Sequence, residues 1–236
     1  ATSPKPALTE PFTIVALPDT QIYAKDKEPA FAKQIEWILA NAESKNIAFV
    51  THLGDVVDNS TDEGQWDFAM AALRPLLDQE ELPFSIIRGN HDDPEFFLRH
   101  LPIELMEEKS WFVDASPSEL CQAQTFTVGG VAFLHVGFQH NPTAADISWA
   151  NELLSCPAFQ RMPVIVSAHD YMYYGGRSRI GVSIWGGFVE RNPMVFMVLC
   201  GHNHTEYVQV DHNLAGRPVY QMLSDYQGRD FGGNGL

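Results

Sequence analysis

Basic residues are scarce in this chain. Its 236 residues carry 15 Lys+Arg against 30 Asp+Glu, a net charge of −15. A nucleic-acid coat needs cations along the phosphate backbone, and docking on an anionic bilayer needs them too, so the balance argues against both. Long apolar runs are missing as well. The longest, Val131–Phe138 and Met194–Cys200, are strand-sized, well short of the roughly 20 residues of a membrane helix, and no membrane insertion is expected. No signal peptide is expected, and no repeat or low-complexity block is read. The first residues, ATSPKPALTEP, read as a flexible Pro-rich arm over 1–10, as at the start of a mature exported protein or as an ordinary loose terminus. Export, periplasmic or extracellular, is the expectation, ahead of the cytoplasm. Three cysteines are too few for a disulfide framework. Cys200 reads as buried packing, while Cys121 and Cys156 fit either a pair or two free thiols.

What is present is ordinary globular composition, 45% hydrophobic and 19% charged, enough for a large core over residues 11–236. Strand and helix signals alternate. Phe12–Leu17, Ile47–Leu53 and Phe84–Ile87 read as strands, separated by the helical spacings Phe31, Ile35, Ile38, Leu39 and Trp66, Met70, Leu73, Leu77. That β-α-β-α-β order argues for parallel strands with crossover helices. Val131–Val136, Val164–Ala168, Val195–Cys200, Tyr207–Val210 and Val219–Leu223 follow as strands, with one helix opened by a capping box, Thr143 to Asp146. The fold class expected is α/β: a four-layer α/β/β/α sandwich of two packed mixed sheets flanked by helices.

The informative pattern is positional. Five of these strands end in metal-ligand types: Asp19-Thr-Gln21, Gly54-Asp55, Gly89-Asn90-His91-Asp92, His169-Asp170 and Gly201-His202-Asn-His204. Ligands of α/β sheets bind at the carboxyl ends of strands. A single Asp there is normally a turn or cap residue, but five such ends are hard to explain as turns. In order, LPDTQ, GDVVD, GNHD, AHD and GHNH resemble the calcineurin-like metallophosphoesterases, whose pattern is D-x-H, G-D-x-x-D, G-N-H-[DE], a later H, and G-H-x-H. LPDTQ, His169-Asp-Tyr171, Asp225-Tyr-Gln227 and GGNG are similar to a bacterial branch of that family. That branch continues past GGNG into a further strand, so a C-terminal strand is expected beyond Leu236.

The resemblance implies two divalent metal ions. Asp19, Gln21, Asp55 and His204 would hold the first; Asp55, Asn90, His169 and His202 would hold the second, with Asp55 bridging. It also implies a metal-bridging hydroxide as nucleophile, His91 as general acid for the leaving alkoxide, and Asp58 as the residue that orients His91. Only Asp19 and Asp55 are anionic among these ligands, so two dications would leave a local charge of about +2 inside an acidic protein. His202 and His204, two apart, would face the same side of a regular strand. Gln21 stands where most of the family has His. An amide oxygen is a harder and poorer donor, which favours Mn²⁺ or Fe over Zn²⁺ and implies a labile first metal.

The segment after His169 holds Tyr171, Tyr173, Tyr174, Arg177 and Arg179. It is expected to cap the site, with Tyr171, Arg177 and Arg179 binding the non-reacting part of a substrate. His52 reads as a packed, hydrogen-bonded histidine; His135 and His140 lie in and just after the Phe133–Phe138 run, where packing is the preferred reading and lining of the pocket by one of them the alternative. The sequons at Asn59 and Asn203 fall inside the site and read as chance matches. Hydrolysis of small phosphate mono- or diesters is therefore expected, with no long nucleic acid as partner. The alternative is a non-catalytic metal-binding or interaction module on the same fold. Purple-acid-phosphatase iron chemistry is disfavoured, because that subgroup's G-D-x-x-Y is GDVVD here.

Overall fold

A computed structural model describes residues 10–229. Apart from Glu10, the expected arm and the expected strand beyond GGNGL lie outside the described residues. Strands β1 (Thr13–Leu17), β2 (Ile47–His52) and β3 (Phe84–Ile86) form a three-stranded sheet in that order. All three are parallel, so this sheet departs from the mixed pairing expected. The second sheet has seven strands and is mixed. Its centre is β6 (Val131–Phe138), β7 (Val164–Ala168), β10 (Val195–Cys200) and β12 (Pro218–Ser224), mutually parallel. Antiparallel β11 (Glu206–His212) flanks one side; β5 (Gln122–Val128) and then β4 (Phe112–Ala115) flank the other. A two-stranded hairpin, β8 (Met172–Tyr173) with β9 (Gly176–Arg177), stands apart.

Helices cover the outer faces. α2 (Ala30–Asn41) and α3 (Glu63–Asp78) bury Phe31, Ile35, Ile38, Trp66 and Leu73 against the first sheet, and each such side chain contributes about 2 kcal/mol by leaving water. Asp62 caps α3, accepting from the Gly64 N–H at 3.0 Å, and the Trp66 indole donates to Ser60 O at 2.9 Å. On the far side α6 (Ala144–Ser155) opens with the expected capping box, in which Thr143 Oγ1 and Asp146 Oδ2 each accept the other's N–H. It covers the second sheet together with α7 (Arg179–Ile184) and a π-helical segment, Trp185–Val189. Between the sheets lies a third core, with Phe126 stacked on Phe49 at 5.0 Å and on Phe133 at 5.1 Å. The layers are thus α/β/β/α. Among the described residues, no helix is long and apolar enough to cross a membrane.

Four short helices escaped the periodicity reading: α1 (Gln21–Asp26), α4 (Pro94–His100), α5 (Glu104–Glu107) and α7. All run seven residues or fewer, too short for a face to repeat. The chain's thiols are free: Cys121 is buried and Cys156 exposed, which removes the disulfide alternative.

Candidate metal centre

The five parallel strands β1, β2, β3, β7 and β10 deliver their carboxyl ends to one edge of the sandwich. The first sheet brings Asp19, Gln21, Asp55 and Asn90 there, and the second brings His169, His202 and His204. The chain turns sharply at three of these positions: Asp19, Asp55 and His202 have φ of 47°, 54° and 71°. Non-glycine residues in that region are strained, and such strain gathers at functional sites. His202 therefore sits in a turn rather than on a strand. Its ring meets His169 while His204 lies beside Asp225, so the spacing argument for a regular strand does not apply here.

Two carboxylates lace the loops together. Asp19 accepts the His202 N–H at 3.1 and 3.0 Å, and Asp55 Oδ1 accepts the His91 N–H at 2.8 Å. These approaches explain two motif glycines. A Cβ on Gly201 would lie 2.1 Å from Asp19 Oδ2, and one on Gly89 would lie 2.1 Å from Asp55 Oδ1.

The donor set fits a cation. His169 Nδ1 donates to Leu53 O at 2.8 Å, which leaves Nε2 as the lone-pair nitrogen of the neutral ring. That nitrogen faces Asp55 Oδ2 at 3.2 Å, Asn90 Oδ1 at 2.8 Å and His202 Nδ1 at 3.1 Å. A lone pair among such acceptors is repelled unless a positive charge sits with them. In a metal-free site that charge is a proton: burial opposes it, but Asp55 and Asp19 outweigh burial and push His169 up to about 9. Burial in turn raises Asp19 well above the carboxylate range, against His169 and with help from Asp225 and Asp55. Burial also works to raise Asp55, but His169 outweighs it and holds that carboxyl low. Gln21 is buried; its Nε2 donates to Asp55 Oδ2 at 3.1 Å, and its Oε1 has no hydrogen-bond partner. An amide oxygen without a partner beside the buried Asp55 carboxylate has the donor chemistry a hard cation takes. Asp55, His169 and His202 form the compact cluster. His204 is more open, with Nε2 3.9 Å from the buried Asp225 carboxylate.

His91 is 39% exposed, and its Nδ1 donates to Asp58 O at 2.8 Å. The Asp58 carboxylate is 3.7 Å away and is paired with Lys25 at 2.9 Å. Contact thus runs through the main-chain carbonyl, not the side chain that the resemblance implied.

Other residues matter that sequence alone did not single out. Asp92, fully buried, accepts the N–H groups of Val56, Val57 and Gly89 at 2.9–3.1 Å, binding the GDVVD loop to the GNHD loop. Burial and the Asp55 charge raise it to about 6. His52 joins Thr20 Oγ1 to the Gly54 N–H, a packed role as expected. His140, read as packing, has its ring 5.7 Å from that of His169 and 5.9 Å from that of His202, with a buried Nδ1 lacking a partner. Asp225, which had no assigned role, lies beside His204 and accepts from Gln227.

Two substrate-binding expectations are overturned. Tyr171 is fully buried and donates to Gln221 Oε1 at 2.9 Å. Arg177 donates to Gln221, pairs with Asp211 and lies 3.7 Å over the Trp185 ring. Both are committed to holding the β8–β9 hairpin on the second sheet. Arg177→Ala is expected to cost about 1–2 kcal/mol, or about 2–8 °C in Tm, and to leave kcat/KM within about twofold. Thermal melts beside steady-state kinetics check both. Arg179 is exposed at the start of α7, beside Asn141 and Pro142.

Comparison with known proteins agrees with this geometry. The calcineurin-like phosphoesterase family description matches residues 12–206. The Bacillus subtilis (strain 168) protein YvnB is 33% identical over 98% of the chain, and the chain spans 19% of YvnB's length. A dimetal phosphatase from Danio rerio superposes with a TM-score of 0.61 at 11% identity, covering 89% of this chain and 86% of that one. A purple acid phosphatase from yellow lupin (Lupinus luteus) seeds superposes at 0.52 and 17% identity, covering 82% of this chain and 38% of that one. Motif order, strand-end geometry and family match agree: the chain belongs to the calcineurin-like phosphoesterases.

Proposed function

We propose that this domain hydrolyses small phosphate mono- or diesters with two divalent metals. The observation that carries the reading is the meeting of Asp55, Asn90, His169 and His202 from the two sheets, with Gln21 joined to Asp55 and its own amide oxygen without a hydrogen-bond partner. Asp19, Gln21, Asp55 and His204 would hold one ion, and Asp55, Asn90, His169 and His202 the other. Bound there, dications would supply Lewis acidity and an activated water. The chain's own groups do the rest. His91, exposed at the site's rim, delivers a proton to the leaving alkoxide. Asp58 O fixes the ring so that Nε2 points away from its anchor. His140, whose ring lies against those of His169 and His202, and Arg179 would meet the substrate's remainder. The acidic surface favours small esters over polyanionic chains.

The test is a panel of p-nitrophenyl phosphate and bis-p-nitrophenyl phosphate across Mn²⁺, Fe²⁺ and Zn²⁺. Hydrolysis is expected with added Mn²⁺ or Fe²⁺ ahead of Zn²⁺. Dialysis should strip one of the two ions first, because Gln21 replaces an imidazole. No cleavage at any metal load would put the non-catalytic binding module ahead, and equal, tight retention of both ions would refute the labile first metal.

A further inference from the structure

A chain of hydrogen bonds crosses the buried space between the two sheets. His135 Nδ1 lies 2.9 Å from Gln124 Oε1, a carbonyl oxygen that only accepts, so Nδ1 carries the proton. Burial holds this ring neutral, its pKa lowered to about 3. His135 Nε2 must then accept, from Ser167 Oγ at 2.8 Å. Ser167, having spent its only proton, accepts from Thr51 Oγ1 at 2.9 Å. In the other direction Gln124 Nε2 donates to Gln122 Oε1 at 2.6 Å, and Gln122 Nε2 donates to Ile86 O at 3.0 Å. The chain has one polarity throughout. It leaves the first sheet at β2, passes through β7, β6 and β5, and returns to the first sheet at β3. Thr51, Ser167, His135 and Gln124 have no exposed surface.

We propose that this chain is a positioning device that sets the two halves of the metal site against each other. The proposal rests on the two-metal reading above. Its three anchors on ligand-bearing strands are Thr51, Ile86 and Ser167, a few residues before Asp55, Asn90 and His169. Those are three of the four side chains that would hold the second ion, and the two sheets contribute them separately. Aromatic packing alone tolerates several sliding registers. A hydrogen bond does not, because its donor–acceptor distance is confined to a few tenths of an ångström. Burying five polar side chains where Phe49, Phe126 and Phe133 already fill the interior adds register rather than adhesion.

Thr51 separates positioning from packing. Thr51→Val keeps the shape and removes the hydroxyl; Thr51→Ser keeps the hydroxyl and removes a methyl. Mn²⁺ affinity is read by equilibrium dialysis at a temperature where every variant is folded, with Tm of the metal-free proteins measured alongside. Thr51→Val and Ser167→Ala are expected to weaken Mn²⁺ binding about tenfold, as displaced supports of metal ligands do. Thr51→Ser should bind as wild type even where its Tm falls. Affinity that is unchanged in Thr51→Val and Ser167→Ala, or that falls equally in Thr51→Ser, would overturn the proposal. Wild type that binds Mn²⁺ but cleaves no ester would sink the hydrolase reading alone, and wild type that binds no metal would sink both.

Discussion

Asp55→Asn is expected to abolish the proposed turnover while leaving the fold intact: phosphoester hydrolysis should drop at least about 10³-fold, the scale of several kcal/mol of lost metal-borne transition-state stabilisation. The variant keeps the volume, and Asn tolerates the left-handed backbone at φ 54°. What it removes is one negative charge placed between a buried imidazole and a buried amide. Asp55 Oδ2 lies 3.2 Å from His169 Nε2 and accepts from Gln21 Nε2 at 3.1 Å. The structure also sets an opposite expectation for stability. Asp55 adds repulsion to buried Asp19 and Asp92, and both are raised in part by its charge. Removing it relieves that repulsion at the cost of its attraction to His169. The metal-free variant should therefore melt within a few degrees of wild type, as sites that trade stability for activity do. Elemental analysis after loading, a thermal melt without metal, and the ester assay check the three parts. Two tightly held ions in Asp55→Asn would contradict the bridging assignment.

How much of this was legible in the sequence differs by layer. Strands with apolar runs, such as Val164–Ala168 and Val195–Cys200, were readable because both their faces are covered. β5 was not, since Gln122 and Gln124 point inward where the pattern rule expects apolar side chains. The same inversion makes the inter-sheet hydrogen-bond chain. The strand-end placement of these residue types was readable, and the structure packs Asp55, Asn90, His169 and His202 together there. Partner choice was not readable. Arg177 and Tyr171 sit next to a ligand in sequence, yet Asp211 and Gln221, more than thirty residues on, claim them. Asp58 is drawn away by Lys25 on α1, a helix too short to announce itself. Sequence proximity to a ligand says which neighbourhood a side chain enters; competition among buried partners decides where it ends.

His91→Asn should slow hydrolysis by about 10²–10⁴-fold for an alkyl phosphoester and far less for p-nitrophenyl phosphate. The difference follows from the leaving group. An alkoxide cannot depart without a proton, whereas p-nitrophenolate is stable enough to leave unaided. A residue that only shaped the pocket would slow both alike. The His91 side chain makes none of the close ligand contacts, since only its backbone N–H touches Asp55, at 2.8 Å. Metal content is thus expected to be unchanged. Asp58→Asn is the informative companion. The imidazole is held by Asp58 O at 2.8 Å, while the carboxylate lies 3.7 Å off and is tied to Lys25. A main-chain acceptor survives the substitution, so Asp58→Asn should stay within a few-fold of wild type on both substrates. Should it instead match His91→Asn on the alkyl ester, the carboxylate must swing from Lys25 to His91 during turnover. Lys25→Ala would then accelerate the alkyl ester, whereas an anchor made by the carbonyl alone predicts no gain.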